Sequence, residues 1–210
     1  MKNNIKTIIV SLFSISAIVS SVFLWKNSGN DVLGIDNISK AQDETSKKTE
    51  EKINIVFLGD LMFDRYIREV SQKKGNDFIF EKLENILLGN DLVIANLEGP
   101  ITDKKSVSIG TLPGEKGHMV FTFDPSLALT LKKNRINSVN IGNNHILNFG
   151  KTGLQQTADN LEKAGIGYFG DAGDENKYLI KEIGTTKIGF VNYNQFSSNP
   201  LEKTLENIRK

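Results

Sequence analysis

The chain has no cysteine among its 210 residues. That excludes disulfide staples, thiolate zinc sites, a cysteine nucleophile and a lipoprotein-type anchor. Histidine is scarce, with only His118 and His145, and there is a single tryptophan. A dominant charge is missing as well: 26 basic and 25 acidic residues leave a formal net charge of +1. The two signs are interspersed in the folded part, so no nucleic-acid partner is implied.

Long apolar runs are absent apart from one at the N-terminus. Thr7 to Trp25, TIIVSLFSISAIVSSVFLW, carries no charge over nineteen positions. That is about the length a helix needs to cross a bilayer core. Lys2 and Lys6 precede it, which keeps the N-terminus cytoplasmic and sets Trp25 at the far interface. A cleaved signal peptide is the rival reading, with a shorter apolar region and a small-x-small cleavage site. The uncleaved anchor is preferred, giving a single-pass membrane protein whose domain faces outside the cytoplasm. Residues 1–29 then form a transmembrane helix. Residues 30–52 are polar and charged and read as a flexible stalk. A domain follows over 53–210.

Within the domain, strand and helix alternate. Ile53–Leu58 (INIVFL) and Asp91–Glu98 (DLVIANLE) are near-continuous apolar runs, as in strands buried on both faces. Asn137–His145 is a third strand, and Ile166–Gly170 a short fourth. Helical spacing covers 63–74, 78–89, 126–135 and 150–164, with Asp124 as cap and Pro125 at the first position of the third. Gly165 falls just past the fourth helix. Residues 178–194 read as a hairpin around Gly184-Thr185-Thr186, and 200–210 as a closing helix. The expected fold is a layered α/β domain with a mostly parallel sheet flanked by helices.

Ligands of such sheets gather at the carboxyl ends of the strands. The first strand ends in Gly59-Asp60, the second in Asn96-Leu97-Glu98 and the third in Gly142-Asn143-Asn144-His145. Carboxylates, amide oxygens and an imidazole suit a divalent cation such as Mg²⁺, Mn²⁺ or Zn²⁺. Taken singly, each piece has a plainer reading: Gly-Asp as a turn or cap, Asn-Asn as turn chemistry, the histidine as structural. Their coincidence at three equivalent strand ends carries the functional reading. Asp64 either assists the metal cluster or caps the helix it precedes. Arg65 is either a carboxylate- or phosphate-binding group or a surface arginine. His118, in a long loop over 99–123, is expected to face solvent.

The stretches 59-GDLMFDR-65, 95-ANLEGPIT-102 and 143-NNHILNFGKTGLQQTADNLEKAGIGYFG-170 together resemble the poly-γ-glutamate capsule biosynthesis protein CapA family, whose domain is similar to calcineurin-like metallophosphoesterases. The resemblance covers roughly 53–193. It implies Asp60, Glu98 and Asn144 as metal ligands, and His145 with Asn144 as catalytic. His145 would stabilise or protonate a leaving group. Arg65, Asn96 and Asn143 are the candidate substrate-binding residues. The implied partners are an anionic polymer such as poly-γ-glutamate and other membrane capsule-synthesis proteins.

This sequence departs from the family in having Asn148 where an acidic residue is usual. The family's domain also continues, with histidine motifs including a His-Trp-Gly-like segment, so this chain is expected to hold the N-terminal portion of an incomplete domain. Three functions stay open: a membrane-anchored metal-dependent hydrolase or transferase, a non-catalytic assembly or export factor, and an inactive remnant.

Overall fold

A computed structural model of the chain describes residues 52–172, 175–195 and 200–210, together with the backbone of 7–13 and 21–23. Strands β1 (Thr7–Phe13) and β2 (Ser21–Phe23) come from the apolar N-terminal run. The rest of the expected membrane segment lies outside the described residues, as does the stalk up to Glu51. An uncharged run rich in isoleucine and valine fits a strand as readily as a helix by periodicity. Among the described residues no helix is long and apolar enough to cross a membrane.

The domain itself runs β3 (Ile55–Leu61), α1 (Arg65–Lys74), α2 (Glu84–Leu87), β4 (Leu92–Leu97), α3 (Leu127–Lys133), β5 (Ser138–Asn140), α4 (Gly150–Lys163), β6 (Gly167–Ala172), β7 (Glu175–Lys177), β8 (Leu179–Ile183), β9 (Thr186–Tyr193) and α5 (Pro200–Arg209). One sheet has the order β3-β4-β5-β6-β7, parallel from β3 to β6, with β7 antiparallel at the edge. A second sheet has the order β2-β1-β9-β8.

Alternation along β4 shows how the layers are held. Val93, Ala95 and Leu97 face a core with Leu127 and Leu131 of α3 and Leu161 of α4. Leu92 and Ile94 face the opposite way, against Phe169, Ile188 and Phe190. A strand buried on both faces therefore reads as one apolar run. The expectation of helices flanking the parallel sheet holds for one face. The other is covered by the β8–β9 hairpin, and α5 lies beyond it, its Thr204 hydroxyl donating to the Asn192 carbonyl of β9 at 3.0 Å.

Several boundaries differ from the sequence expectation. The helix expected over 78–89 is broken into a 3₁₀ turn, Asn76–Ile79, and the four-residue α2. The third helix starts at Leu127 with Ser126 as its cap residue, and Asp124 accepts the Ser126 N–H at 2.9 Å in a turn before it. The third strand stops at Asn140, so Gly142 to His145 form a turn. Strand β3 runs on through Gly59 and Asp60, with a register shift between Phe57 and Asp60.

The loop over 99–123 is pinched at its neck. Phe123 N–H donates to Pro100 O at 2.7 Å and Thr102 N–H to Phe123 O at 2.9 Å, closing a parallel bridge between Ile101 and Phe123. His118 is buried, at 8% exposure, with Nδ1 3.0 Å from the Thr111 hydroxyl. This corrects the expected solvent-facing histidine: the loop folds on itself and uses the imidazole as its filling.

Candidate functional site

The register shift in β3 decides where Asp60 points. Phe57 pairs with Ile94 and Asp60 with Asn96, so β3 spends one more residue than β4 over the same span. Such a bulge re-aims the side chains that follow it. Without it Gly59 would sit opposite Asn96. With it, Asp60, Asn96 and Asn140 stand side by side across three strands.

This row is hydrogen-bonded. Asn96 Nδ2 donates to Asp60 Oδ1 at 2.8 Å and to Glu98 Oε2 at 2.6 Å. Asn96 Oδ1 accepts from Asn140 Nδ2 at 3.4 Å and Asn143 Nδ2 at 3.1 Å. One amide NH₂ thus stands between two carboxylates. Glu98 is pushed up to about 7 by burial first and by the Asp60 charge second, with the Asn96 bond acting against both. Glycine at 170 is needed to bring β6 this close: its φ is 126°, and a Cβ there would lie 2.3 Å from Gly142 N and 2.7 Å from Asn140 Oδ1.

Asn143 is buried and its hydrogen bonds are taken internally. It donates to Asn96 Oδ1 and to Leu97 O at 2.8 Å, and its Oδ1 accepts the N–H groups of His145 and Ile146, both at 3.0 Å. That turn orients His145. The Asn148 amide oxygen accepts the Phe121 N–H at 2.8 Å and lies 3.2 Å from His145 Nδ1. An oxygen already fixed as acceptor assigns the proton to Nδ1. Nε2 is then turned toward Glu98, 3.9 Å from Oε1. Burial is the main influence holding the His145 pKa below its ordinary value, with the Arg65 charge adding to it and hydrogen bonding to Asn148 and Met119 opposing it.

The structure therefore joins Asp60, Asn96, Glu98, Asn143 and His145 in one network. Asn144 is exposed beside them in the turn. Arg65 also stands against Phe121, its guanidinium 4.6 Å from the ring centroid, while Phe121 lies 4.4 Å from the His145 ring. Asp64 is not in the cluster. It is wholly buried, caps α1 through Arg65 N–H at 3.0 Å, pairs with Arg68 Nε at 2.9 Å and accepts Thr122 N–H at 2.9 Å. The capping alternative is the one the structure adopts. Asn140, Phe121 and the bonding role of Asn148 were not read from the sequence. Asn140 sits inside an apolar strand, a signal that could have marked it, whereas Phe121 lies in a loop with no pattern to single it out.

The donors are hard oxygens with one imidazole, of the kind that hold Mg²⁺, Mn²⁺ or Zn²⁺. Among the described residues, however, no group of three or more His, Asp or Glu converges as a metal cluster. The two carboxylates meeting at one amide fit a cation in part, as a pair of ligands that needs others.

A layered α/β domain with carboxylates, amides and an imidazole at its strand ends belongs to the class that binds ligands at the carboxyl edge of a parallel sheet. Within that class, the family model described as bacterial capsule synthesis protein PGA_cap matches residues 54–209. The chain belongs to this family. It is 30% identical over 125 residues to the PGA biosynthesis protein CapA of Bacillus subtilis (strain 168), a match covering 57% of this chain and 32% of that protein. It is 27% identical over 146 residues to the capsule biosynthesis protein CapA of Bacillus anthracis, covering 65% of this chain and 32% of that protein. The matched segment thus spans about a third of the length of each relative.

Proposed function

We propose that the CapA-type domain of this chain acts, with a divalent metal ion, as a hydrolase or transferase on an anionic polymer such as poly-γ-glutamate. In this reading the domain works outside the cytoplasm beside other membrane capsule-synthesis proteins, held at the membrane through the apolar run within residues 1–29 and the stalk 30–52; that anchor is read from the sequence, since the structure has Thr7–Phe13 and Ser21–Phe23 as strands. The observation that carries the reading is the pair Asp60 and Glu98, brought to one amide by the bulge in β3, with Glu98 held near neutral pKa. Carboxylates driven together and out of water attract a cation.

Asp60, Glu98 and Asn144 would hold the metal, which when bound polarises a substrate oxygen or acidifies a bound water. The chain's own residues do the rest. Asn96 spaces the two carboxylates, and Asn143 locks the turn that aims His145. His145 offers Nε2 to the reacting group, taking or giving a proton there. Asn96 and Asn143 act here through the network they hold rather than by touching substrate. Titration of the full chain with Mn²⁺ tests the reading. The expected result is saturable binding that raises the unfolding temperature and is lost in Asp60→Ala. Equal Mn²⁺ binding by Asp60→Ala would overturn it.

A second reading, a non-catalytic assembly or export factor, draws support from the missing third acidic or histidine ligand among the described residues. There Asp60→Ala would assemble with capsule-synthesis proteins as well as the unaltered chain does, and neither protein would bind Mn²⁺.

A further inference from the structure

Arg65 holds its place at three costs. Its backbone has φ 53°, the left-handed region that side chains other than glycine rarely adopt. It is a cation at the first residue of a ten-residue helix, the positive end of the helix dipole, with no acidic residue in that turn. Its Nε is buried without a hydrogen-bond partner. The adjacent carboxylate gives no relief, because Asp64 spends its oxygens on the Arg65 backbone N–H, Arg68 and Thr122. Among the described residues no acidic side chain pairs with the Arg65 guanidinium; its contacts are the Phe121 face and the Met119 sulfur, 3.4 Å from one terminal nitrogen.

These features gather on one side of the network. The guanidinium carbon lies 4.6 Å from the centroid of the Phe121 ring, and the same ring packs against His145. The Phe121 backbone is itself tied to His145 through Asn148, whose oxygen serves both. Arg65 and His145 therefore share Phe121 as a neighbour, and no acidic side chain among the described residues compensates the Arg65 charge. With Nε buried, the terminal nitrogens of this ring-braced guanidinium, one of them 3.4 Å from the Met119 sulfur, are the donors left to meet an oxygen of a carboxylate or phosphate. Structural roles do not account for the arrangement: glycine at 65 would relieve the backbone, and an acidic residue there would suit the helix end.

We infer that Arg65, braced by Phe121, is the specificity-determining residue of this site. It takes an anionic group, carboxylate or phosphate, that the substrate carries close to the bond at His145. This rests on the proposed function for the identity of the reacting centre and for an anionic substrate, and adds the residues that read the anion. Phe121 is a positioning residue, acting through Arg65 and His145.

The test is calorimetric titration of the full chain with three probes: glutarate, inorganic phosphate and the uncharged glutaramide. Glutarate or phosphate is expected to bind with an affinity that falls as salt rises, and glutaramide not to bind. Whichever anion binds more tightly identifies the group recognised. Losing the charged pair in Arg65→Gln is expected to weaken binding about tenfold or more, with partial recovery in Arg65→Lys and a smaller loss in Phe121→Leu. Arg65→Gly separates recognition from folding: it should unfold at a higher temperature, its backbone strain relieved, and yet lose the anion. Unchanged anion affinity in Arg65→Gln, equal binding of glutaramide, or binding of no probe by the unaltered chain would each overturn the inference. Mn²⁺ binding is measured alongside. Mn²⁺ binding with Arg65-independent anion affinity sinks this inference alone; Arg65-dependent anion binding without Mn²⁺ binding sinks the metal reading alone.

Discussion

Asp60 and Asp64 lie one helical turn apart in sequence, yet the first is exposed at the strand end and the second has no exposed surface. The sequence offered both to the metal cluster. Burial separates them: a wholly buried carboxylate needs bonds to all its oxygens, and Asp64 finds them in Arg68 and two backbone N–H groups. Asp64→Ala would leave Arg68 without its carboxylate and the first turn of α1 without its cap. The expected cost is about 3–5 kcal/mol of unfolding free energy, measured by urea denaturation; a loss within experimental error would mean that the pair contributes nothing to the fold. The residues legible in sequence were those that announce themselves at strand ends, Asp60, Glu98 and His145. Asn148 was visible only as a departure from an acidic residue, and its double hydrogen bond needed coordinates, because Phe121 approaches from a segment with no periodic pattern.

At the scale of elements, periodicity located the strands and left their ends open. Apolar runs ended the first strand at Leu58 because Gly59-Asp60 has the composition of a turn. The bulge keeps both residues in β3, and a bulge has no hydrophobic signature. Glycines mark the difference between a permissive and a required position. A Cβ on Gly59 meets nothing within 4 Å, whereas one on Gly170 runs into the backbone at Gly142. Gly59→Ala is expected to change stability by less than about 1 kcal/mol, and Gly170→Ala to cost more than about 2 kcal/mol, since steric overlap and an unfavourable φ act together. Thermal unfolding of both variants checks this, and similar midpoints for the two would show that β6 does not need its close approach to the turn. The break in the helix expected over 78–89 was illegible for a related reason: leucine and isoleucine spacing there fits either one helix or two short turns.

For the molecule as a whole, the alternation of strands and helices fixed the parallel sheet, and the two-faced burial of β4 was implied by its unbroken apolar run. What covered the second face was not, since a hairpin and a helix bury apolar residues equally well. The charged site perched on these layers makes stability depend on pH. Glu98 ordinarily titrates near 4.5 and in the fold near 7. Between those values the native state keeps a proton that the unfolded chain releases, so its contribution to stability falls as pH rises through that window. His145, lowered from 6.5, works oppositely: the unfolded chain takes up a proton that the native state resists, so stability is gained as pH rises toward 6.5. Urea midpoints taken in EDTA from pH 5 to pH 8 should therefore decline for the unaltered chain relative to Glu98→Gln, in which only the His145 rise is left. Parallel curves for the two proteins would rule out Glu98 as the source. Added Mn²⁺ should flatten the decline, because a bound cation favours the ionised carboxylate.

The pinched neck of the 99–123 loop has a consequence for how such proteins diversify. Its bonds at Pro100, Thr102 and Phe123 close the loop before the chain leaves the body of the domain. Lengthening a segment whose ends are already held together costs little, about 0.6 kcal/mol for each doubling. The exposed stretches within residues 103–117 can thus be extended while His118 fills the loop and Phe121 stays against Arg65. Inheritance can rewrite the mouth of the site without renegotiating its floor.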